Sequence, residues 1–289
     1  MTKPSSNTIG ILFMLGGFFT YSIVDTGAKV LTSHFHPMQI VWIRQLGFLA
    51  FVLFILARTG PKVLRTSRPG LQIIRGLLAV ASATAFIFAL QYIELAEAVA
   101  ISFVAPFFVT ILGALWLGEK VGLRRWTAVA LGFIGSLIII RPGMGIMHPA
   151  AFLVVFAAMA FAFRQAVSRV LGAIDSTQTT IAYSGLVGAI VLTIPLPFFF
   201  TAPDTLTQIA VIAMVAILAA LAEFFVIRAL ELAEAVAVAP VHYSLMIWGT
   251  FWGYVVFGHW PDLWTWTGAA VIIASGIYTI YRERQVART

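Results

Sequence analysis

Seven residues, Glu-Leu-Ala-Glu-Ala-Val-Ala, occur twice in this chain, at Glu94–Ala100 and again unchanged at Glu231–Ala237. The two copies lie about half of the 289-residue length apart. An internal repeat constrains the fold more than any single motif, because it defines the unit from which the chain is built. This unit is half of the protein. It predicts a first repeat over residues 1–146 and a second over residues 147–289, which together form one domain.

The composition places that domain in a membrane. Hydrophobic residues make up 61% of the chain, charged residues only 10%, and the mean hydropathy is +0.99. Soluble domains have about 45–50% apolar and about 25% charged residues. The net charge of +7 does not indicate nucleic-acid binding, since the basic residues lie in short connections between apolar runs. The chain has no cysteine, which excludes a disulfide framework and thiolate metal sites.

Ten apolar segments are each long enough to cross a bilayer, which takes about 20 residues. Each half therefore contributes five spans, and an odd number inserts the second half upside down relative to the first. We predict an all-α polytopic membrane protein with ten transmembrane helices in two inverted five-helix repeats. The predicted spans are 8–31, 38–57, 71–92, 97–117, 124–141, 150–171, 177–198, 207–229, 234–257 and 264–281.

The basic residues predict the orientation of these spans, because cytoplasmic connections collect Lys and Arg. With the N-terminus in the cytoplasm, the outer side keeps Arg141 and, near a helix end, Lys29, and both termini are cytoplasmic. The residues that this orientation assigns to the cytoplasmic side are Lys3, Arg58, Lys62, Arg65, Arg68, Arg75, Lys120, Arg124, Arg125, Arg169, Arg228, Arg282, Arg284 and Arg288.

Ionisable residues lie inside the spans, where charge is costly and usually faces a partner or a cavity. Asp25, Lys29 and Arg44 belong to the outer half of the membrane, and Arg164 and Glu223 lie toward the cytoplasm. We expect Asp25 to pair with Lys29 or Arg44, and Glu223 with Arg164. These pairs are either gates or substrate contacts, or structural pairs that offset the cost of burial.

Two prolines fall inside equivalent spans, Pro106 in the fourth and Pro240 in the ninth. Each removes a helical hydrogen bond to the carbonyl four residues earlier, at Ser102 and Val236. Such breaks are tolerated in a membrane where helices pack or a cavity opens. We therefore predict helix breaks of functional importance, with a simple kink as the alternative.

Polar and aromatic side chains after Pro240 and on the first and sixth spans are candidate substrate contacts, because small-molecule pockets combine apolar walls with a few polar groups. Helix packing is the alternative role for each of them. The candidates are His242, Tyr243, Trp248, Phe163, Gln165 and Tyr21.

Motifs for catalysis or nucleotide use are missing from the sequence: it has no His-Glu-x-x-His, no Gly-x-Ser-x-Gly and no P-loop. We therefore expect that the chain is not an enzyme and that it has neither a cofactor nor a metal site.

The combination of motifs resembles the drug/metabolite transporter superfamily, EamA-type branch, over nearly the whole chain. The shared marks are an Arg on the second span, a proline-bearing fourth span that ends in Leu-Gly-Glu, and a Trp with spaced Gly on the fifth. They stand here as Arg44, Pro106, Leu117–Glu119, Trp126, Gly132 and Gly135. The second half departs from this pattern, with His259 in place of Glu119 and Tyr183 in place of Arg44. A strictly symmetric mechanism is therefore not expected.

Within this branch the chain is similar to the YddG-type aromatic amino-acid exporters. The resemblance implies secondary active export of small amphipathic metabolites, above all amino acids, across a bacterial inner membrane by alternating access. The expected partners are the substrate and the lipid bilayer, and a monomer is the expected state. The alternatives are efflux of drugs or other metabolites, a non-transporting membrane scaffold, and a membrane-embedded enzyme.

Overall fold

The structure, a computed structural model, describes residues 6–116, 122–140, 148–172, 174–232, 241–242 and 244–286. Within these ranges the regular structure is entirely helical, apart from turns and short connections. Numbered in chain order, the α-helices are α1 Ser6–Leu31, α2 Pro37–Thr59, α3 Pro69–Ala89, α4 Leu95–Ser102, α5 Ala105–Leu115, α6 Leu123–Ile140, α7 Ala151–Gly172, α8 Thr177–Thr193, α9 Leu206–Leu232, α10 Ser244–Phe257 and α11 Leu263–Val286.

These helices follow the predicted spans. Helices α1 to α3 are the first three spans, α4 and α5 together are the fourth, and α6 to α9 are the next four. Helix α10 is the described part of the ninth span and α11 is the tenth. Six of the helical segments are long and apolar enough to cross a membrane. The chain is therefore an all-α polytopic membrane protein, as predicted.

Local sequence sets several of the helix ends. Pro37 and Pro69 each begin a helix, where the missing N–H of proline costs no bond. Gly60 ends α2 with a φ of +72°, a conformation that glycine adopts without strain. Helix α8 ends at Thr193, earlier than the predicted 198, and Pro195 lies just beyond this end. Proline cannot continue the helical hydrogen bonding, which explains the shorter helix.

The largest helix interfaces join one half of the chain to the other. Helix α1 packs along α9, and α3 packs along α7. By position in the two halves, α1 corresponds to α7 and α3 to α9, so these two interfaces are equivalent. Helix α2 packs on its own counterpart α8, and α6 packs on its counterpart α11. The packing thus follows the repeat found in the sequence. The two halves interleave in one bundle, which places α1, α2, α3, α7, α8 and α9 around its centre.

The fourth span is broken directly before Pro106. Helix α4 ends at Ser102, and α5 begins at Ala105 after the residues Phe103 and Val104. The amide groups of Phe103 and Val104 donate to carbonyls three residues earlier, in the tighter pattern of a 3-10 turn. Both residues are buried among other helices. The break is therefore covered by protein, as irregular backbone at membrane depth must be.

Candidate functional site

Glu223 on α9 is the centre of a buried charged network. Its carboxylate accepts bonds from Arg75 Nη2 at 3.0 Å and from Arg164 Nη1 at 3.1 and 3.3 Å. The hydroxyl of Tyr21 on α1 donates to the same carboxylate. Four helices thus meet at this one residue, of which only 3% is exposed. A carboxylate buried so deeply is stable only when it is paired and hydrogen-bonded.

Arg75 on α3 is a member of this network that the sequence analysis did not name as a site residue. It was counted among the basic residues of the cytoplasmic side, and its side chain is buried between helices. Besides Glu223, it donates through Nε to Ser168 at 2.7 Å and through Nη1 to Ser184. A position five residues inside the apolar run 71–92 was the available signal. All three of its nitrogens are engaged, so Arg75 joins α3 to α7, α8 and α9.

A second pair lies farther along α1. Arg44 Nη1 approaches Asp25 Oδ1 at 3.4 Å, and the two side chains are 11% and 18% exposed. Lys29 does not pair with Asp25. Its ammonium instead donates to the carbonyls of Leu90 at 3.1 Å and Ile93 at 2.7 Å, just beyond the end of α3. Carbonyls at a helix C-terminus lack helical partners and attract cations, which explains this choice.

Members of both pairs, Arg44 of one and Arg164 and Glu223 of the other, line one cavity of about 40 Å³ between α1, α2, α3, α7, α8 and α9. Four of the predicted site residues line it. The sequence analysis did not name the other lining residues as site residues, since their positions depend on how the helices pack. The lining residues are Tyr21, Val41, Arg44, Gln45, Phe48, Ala79, Ala83, Arg164, Ser184 and Glu223.

An aromatic cluster adjoins the cavity at Arg164. The guanidinium of Arg164 lies 5.0 Å from the ring centroid of Phe161, close enough for a cation–π contact. Phe161 in turn approaches His242, with centroids 5.8 Å apart. His242 also contacts Phe18 at 4.9 Å and Phe103 at 6.0 Å. This cluster therefore connects the charged network to the break in the fourth span.

The remaining candidates lie elsewhere. Trp248 packs against Phe19 with ring centroids 4.9 Å apart and does not line the cavity. Phe163 is exposed and Gln165 is partly buried, and neither of them lines the cavity. The candidates Tyr243 and Pro240 lie outside the described residues.

Comparisons with known proteins bear on what this site does. The profile of the EamA-like transporter family matches residues 8–141 and again residues 148–282. The S-adenosylmethionine uptake transporter of Rickettsia bellii is 28% identical, over 96% of this chain and 95% of the relative. The riboflavin transporter of Vibrio cholerae is 30% identical, over 96% and 95%.

A relative named for the opposite direction is similar as well. The pseudopaline exporter CntI of Pseudomonas aeruginosa is 25% identical, over 93% of this chain and 94% of its own length. One solved crystal structure superposes with a TM-score of 0.71 at 16% identity, covering 96% of this chain and 98% of the other. At that identity the superposition supports the fold alone.

Proposed function

Because the chain belongs to the EamA-like transporter family, we propose that it moves small metabolites that carry both a carboxylate and a flat ring. Transport would occur by alternating access at the cavity between α1, α2, α3, α7, α8 and α9. In secondary transporters the substrate site lies between the repeats near the middle of the membrane, and helices of both halves line this cavity. The chain has no P-loop, so we expect the transport to need no ATP.

The observation that carries this proposal is the charge of the buried network. Among the described residues, this network and the Arg44–Asp25 pair together contain three arginines, Arg44, Arg75 and Arg164, and two carboxylates, Asp25 and Glu223. An uncompensated charge inside a membrane protein is costly. A substrate carboxylate would neutralise the surplus positive charge, and Arg44 and Arg164 line the cavity where it would bind.

The ring requirement comes from the neighbouring aromatic cluster. Phe161 and His242 lie beside Arg164, so a ring attached to the bound carboxylate group can pack against them. Flat rings stack favourably on aromatic side chains. An aromatic amino acid has this combination of a carboxylate and a ring, as the YddG-type resemblance implied.

The names of the relatives support a small metabolite with a ring but do not single out amino acids. S-adenosylmethionine joins an amino-acid head group to adenine, whereas riboflavin has a ring system without a carboxylate. The relatives are named for both uptake and export. Export across a bacterial inner membrane, with both termini cytoplasmic, is the direction that the sequence resemblance implies. Measuring flux both into and out of liposomes tests it.

The experiment is a competition assay with purified protein in liposomes. Labelled phenylalanine or S-adenosylmethionine is the tracer, and unlabelled phenylalanine, phenethylamine and riboflavin compete. We expect phenylalanine to compete at least about tenfold better than phenethylamine, which lacks only the carboxylate. Equal competition by the two compounds, or transport of riboflavin alone, would overturn the proposal.

Two variants test whether the preference for phenylalanine over phenethylamine arises at the cavity. Arg164→Gln removes a charge that lines the cavity, whereas Arg169→Gln removes an exposed charge five residues farther along α7. The first variant should lose the preference for phenylalanine over phenethylamine, and the second should keep it. Loss of the preference in both variants would contradict a role for the cavity.

A further inference from the structure

Two polar atoms of cavity-lining side chains have no hydrogen-bond partner: Gln45 Oε1 and Arg164 Nε. Both residues are deeply buried, with 5% of Gln45 and 9% of Arg164 exposed. Buried polar atoms in proteins are nearly always hydrogen-bonded, so each unpaired one needs an explanation. One of these atoms is an acceptor and the other is a donor. A ligand that fills both must therefore supply a donor and an acceptor.

The amide of Gln45 is held in place by the helix opposite it. A Cβ atom added to Gly188 of α8 would overlap the end of the Gln45 side chain, including Cδ and Nε2. The side chain therefore lies directly against the backbone of α8, in space that only glycine leaves open. This packing restricts the amide of a side chain that lines the cavity.

Both carboxylates nearby already accept hydrogen bonds. Glu223 Oε1 accepts from Arg75 and Arg164, and Oε2 accepts from Arg164 and Tyr21. Asp25 accepts from Arg44 through Oδ1 and does not line the cavity. An ammonium group that enters the cavity brings three N–H donors. Gln45 Oε1 has no partner, so it can take one of them without breaking a bond already made.

We propose that Gln45 binds the α-ammonium group of the substrate while Arg164 binds its carboxylate. The site then recognises both ends of an amino-acid head group, and the aromatic cluster around His242 contacts the rest. This inference rests on the proposed function. It narrows the substrate from any ring-bearing carboxylate to an α-amino acid or a derivative that keeps the free amine.

Three compounds distinguish the contributions of the carboxylate and the ammonium group to binding. Phenylalanine has both charged groups, phenethylamine lacks the carboxylate, and 3-phenylpropionate lacks the ammonium. The ring of phenylalanine has no N–H, so its ammonium is the only nitrogen donor. In the liposome assay, wild-type protein should bind phenylalanine about tenfold better than 3-phenylpropionate, the effect expected of one charge-assisted hydrogen bond.

Two variants should remove that tenfold preference. Gln45→Met keeps the length of the side chain but lacks the amide, and Gly188→Ala pushes the intact amide out of its position. Gly132→Ala on α6 is the control, because its new methyl group meets only Ser275 Oγ at 3.8 Å, and neither residue lines the cavity. We expect the preference to fall to about one in both test variants and to remain about tenfold in the control.

The outcomes distinguish this inference from the proposed function. If wild-type protein prefers phenylalanine to phenethylamine but not to 3-phenylpropionate, the proposed function stands and the role of Gln45 is overturned. A preference that survives in Gln45→Met overturns it as well. If Gly188→Ala fails to fold, Gln45→Met alone decides. If wild-type protein shows no preference for a carboxylate, the proposed function itself fails.

Discussion

The two ends of the cavity contain the same kind of ion pair, but the surroundings of the pairs differ. At one end Glu223 accepts bonds from Arg75, Arg164 and Tyr21 and is almost fully buried. At the other end a single contact of 3.4 Å joins Arg44 to Asp25, and both side chains are partly exposed. The Glu223 end is therefore held by far more bonds than the Asp25 end.

This difference shows how an internal repeat becomes asymmetric. The repeated packing of α1 on α9 and of α3 on α7 places polar residues at both ends of the cavity. The side chains at those places differ between the halves, so the bonds that close each end differ as well. Alternating access requires each end to open in turn. Opening the Glu223 end breaks more bonds, and we expect it to be the slower step.

The largest effect should come from Glu223→Gln. This change leaves Arg75 and Arg164 buried beside a neutral amide, and breaking a buried pair typically costs about 3–5 kcal/mol. Asp25→Asn removes the equivalent charge from the pair that has a single long contact, for which we expect a smaller loss of about 1.5 kcal/mol. Thermal or denaturant unfolding in detergent measures both. Equal losses in the two variants would remove the basis of the comparison.

The two arginines differ in the same way. Arg75→Lys keeps the charge but cannot bind Ser168, Ser184 and Glu223 together, because lysine presents a single ammonium group. We expect a loss of about 2 kcal/mol, since each hydrogen bond contributes about 1 kcal/mol. Arg44→Lys loses one long bond at most and should cost less than about 1 kcal/mol. The same unfolding measurements compare them, and a larger loss in Arg44→Lys would reverse the order proposed here.

The fold follows from the sequence because its main signals are local. The length and position of each apolar run predict the helices and their order along the chain. The prediction was wrong at the end of α8, because the run 177–198 stays apolar across Pro195 although the helix does not. One proline hardly changes the average hydropathy of an apolar run, whereas the helical hydrogen bonding cannot continue through it.

The site could be predicted only in part, because its contacts join distant segments. Arg164 and Glu223 could be paired from sequence, since both are ionisable inside spans and lie on the same side. The third partner, Arg75, lies near the start of α3, where an arginine could equally be a flanking residue. The contact between Gln45 and Gly188 depends on the register of α2 against α8. No pattern within either helix encodes that register.

Movement between the two ends should depend on the break in the fourth span. Pro106→Leu restores an N–H that can bond to the Ser102 carbonyl, which would join α4 to α5 and stiffen the segment beside Phe103. We expect transport to slow roughly fivefold, the effect of about 1 kcal/mol, with little change in binding. Initial transport rates and competition constants in liposomes separate the two effects.

Pro69→Leu is the matched control for this change. Pro69 begins α3 after a loop, so no preceding helix can fuse with α3 when its N–H is restored. Its transport rate should stay close to that of the wild type. A normal rate in Pro106→Leu, or an equal loss in both variants, would mean that the break plays no part in the transport cycle.

The last prediction concerns which end of the cavity faces which side of the membrane, and its substitutions should change transport least. Glu94 precedes α4 and is exposed, and Glu231 is its counterpart in the second copy of the repeated heptapeptide. Because five spans separate the copies, we predict Glu94 at the outer surface, where the Asp25 end opens. Glu231 should then lie at the cytoplasmic surface, on the side of Glu223.

The chain has no native cysteine, so Glu94→Cys and Glu231→Cys can be labelled without background. A membrane-impermeant thiol reagent applied to intact cells should modify the first variant and should reach the second only after the membrane is opened. The reverse pattern would place the tightly held Glu223 end on the outside, and the slow step would then be outward opening. Equal labelling of both variants from outside would mean that the repeats are not inverted. The two ends of the cavity could then not be the two gates of an alternating-access cycle.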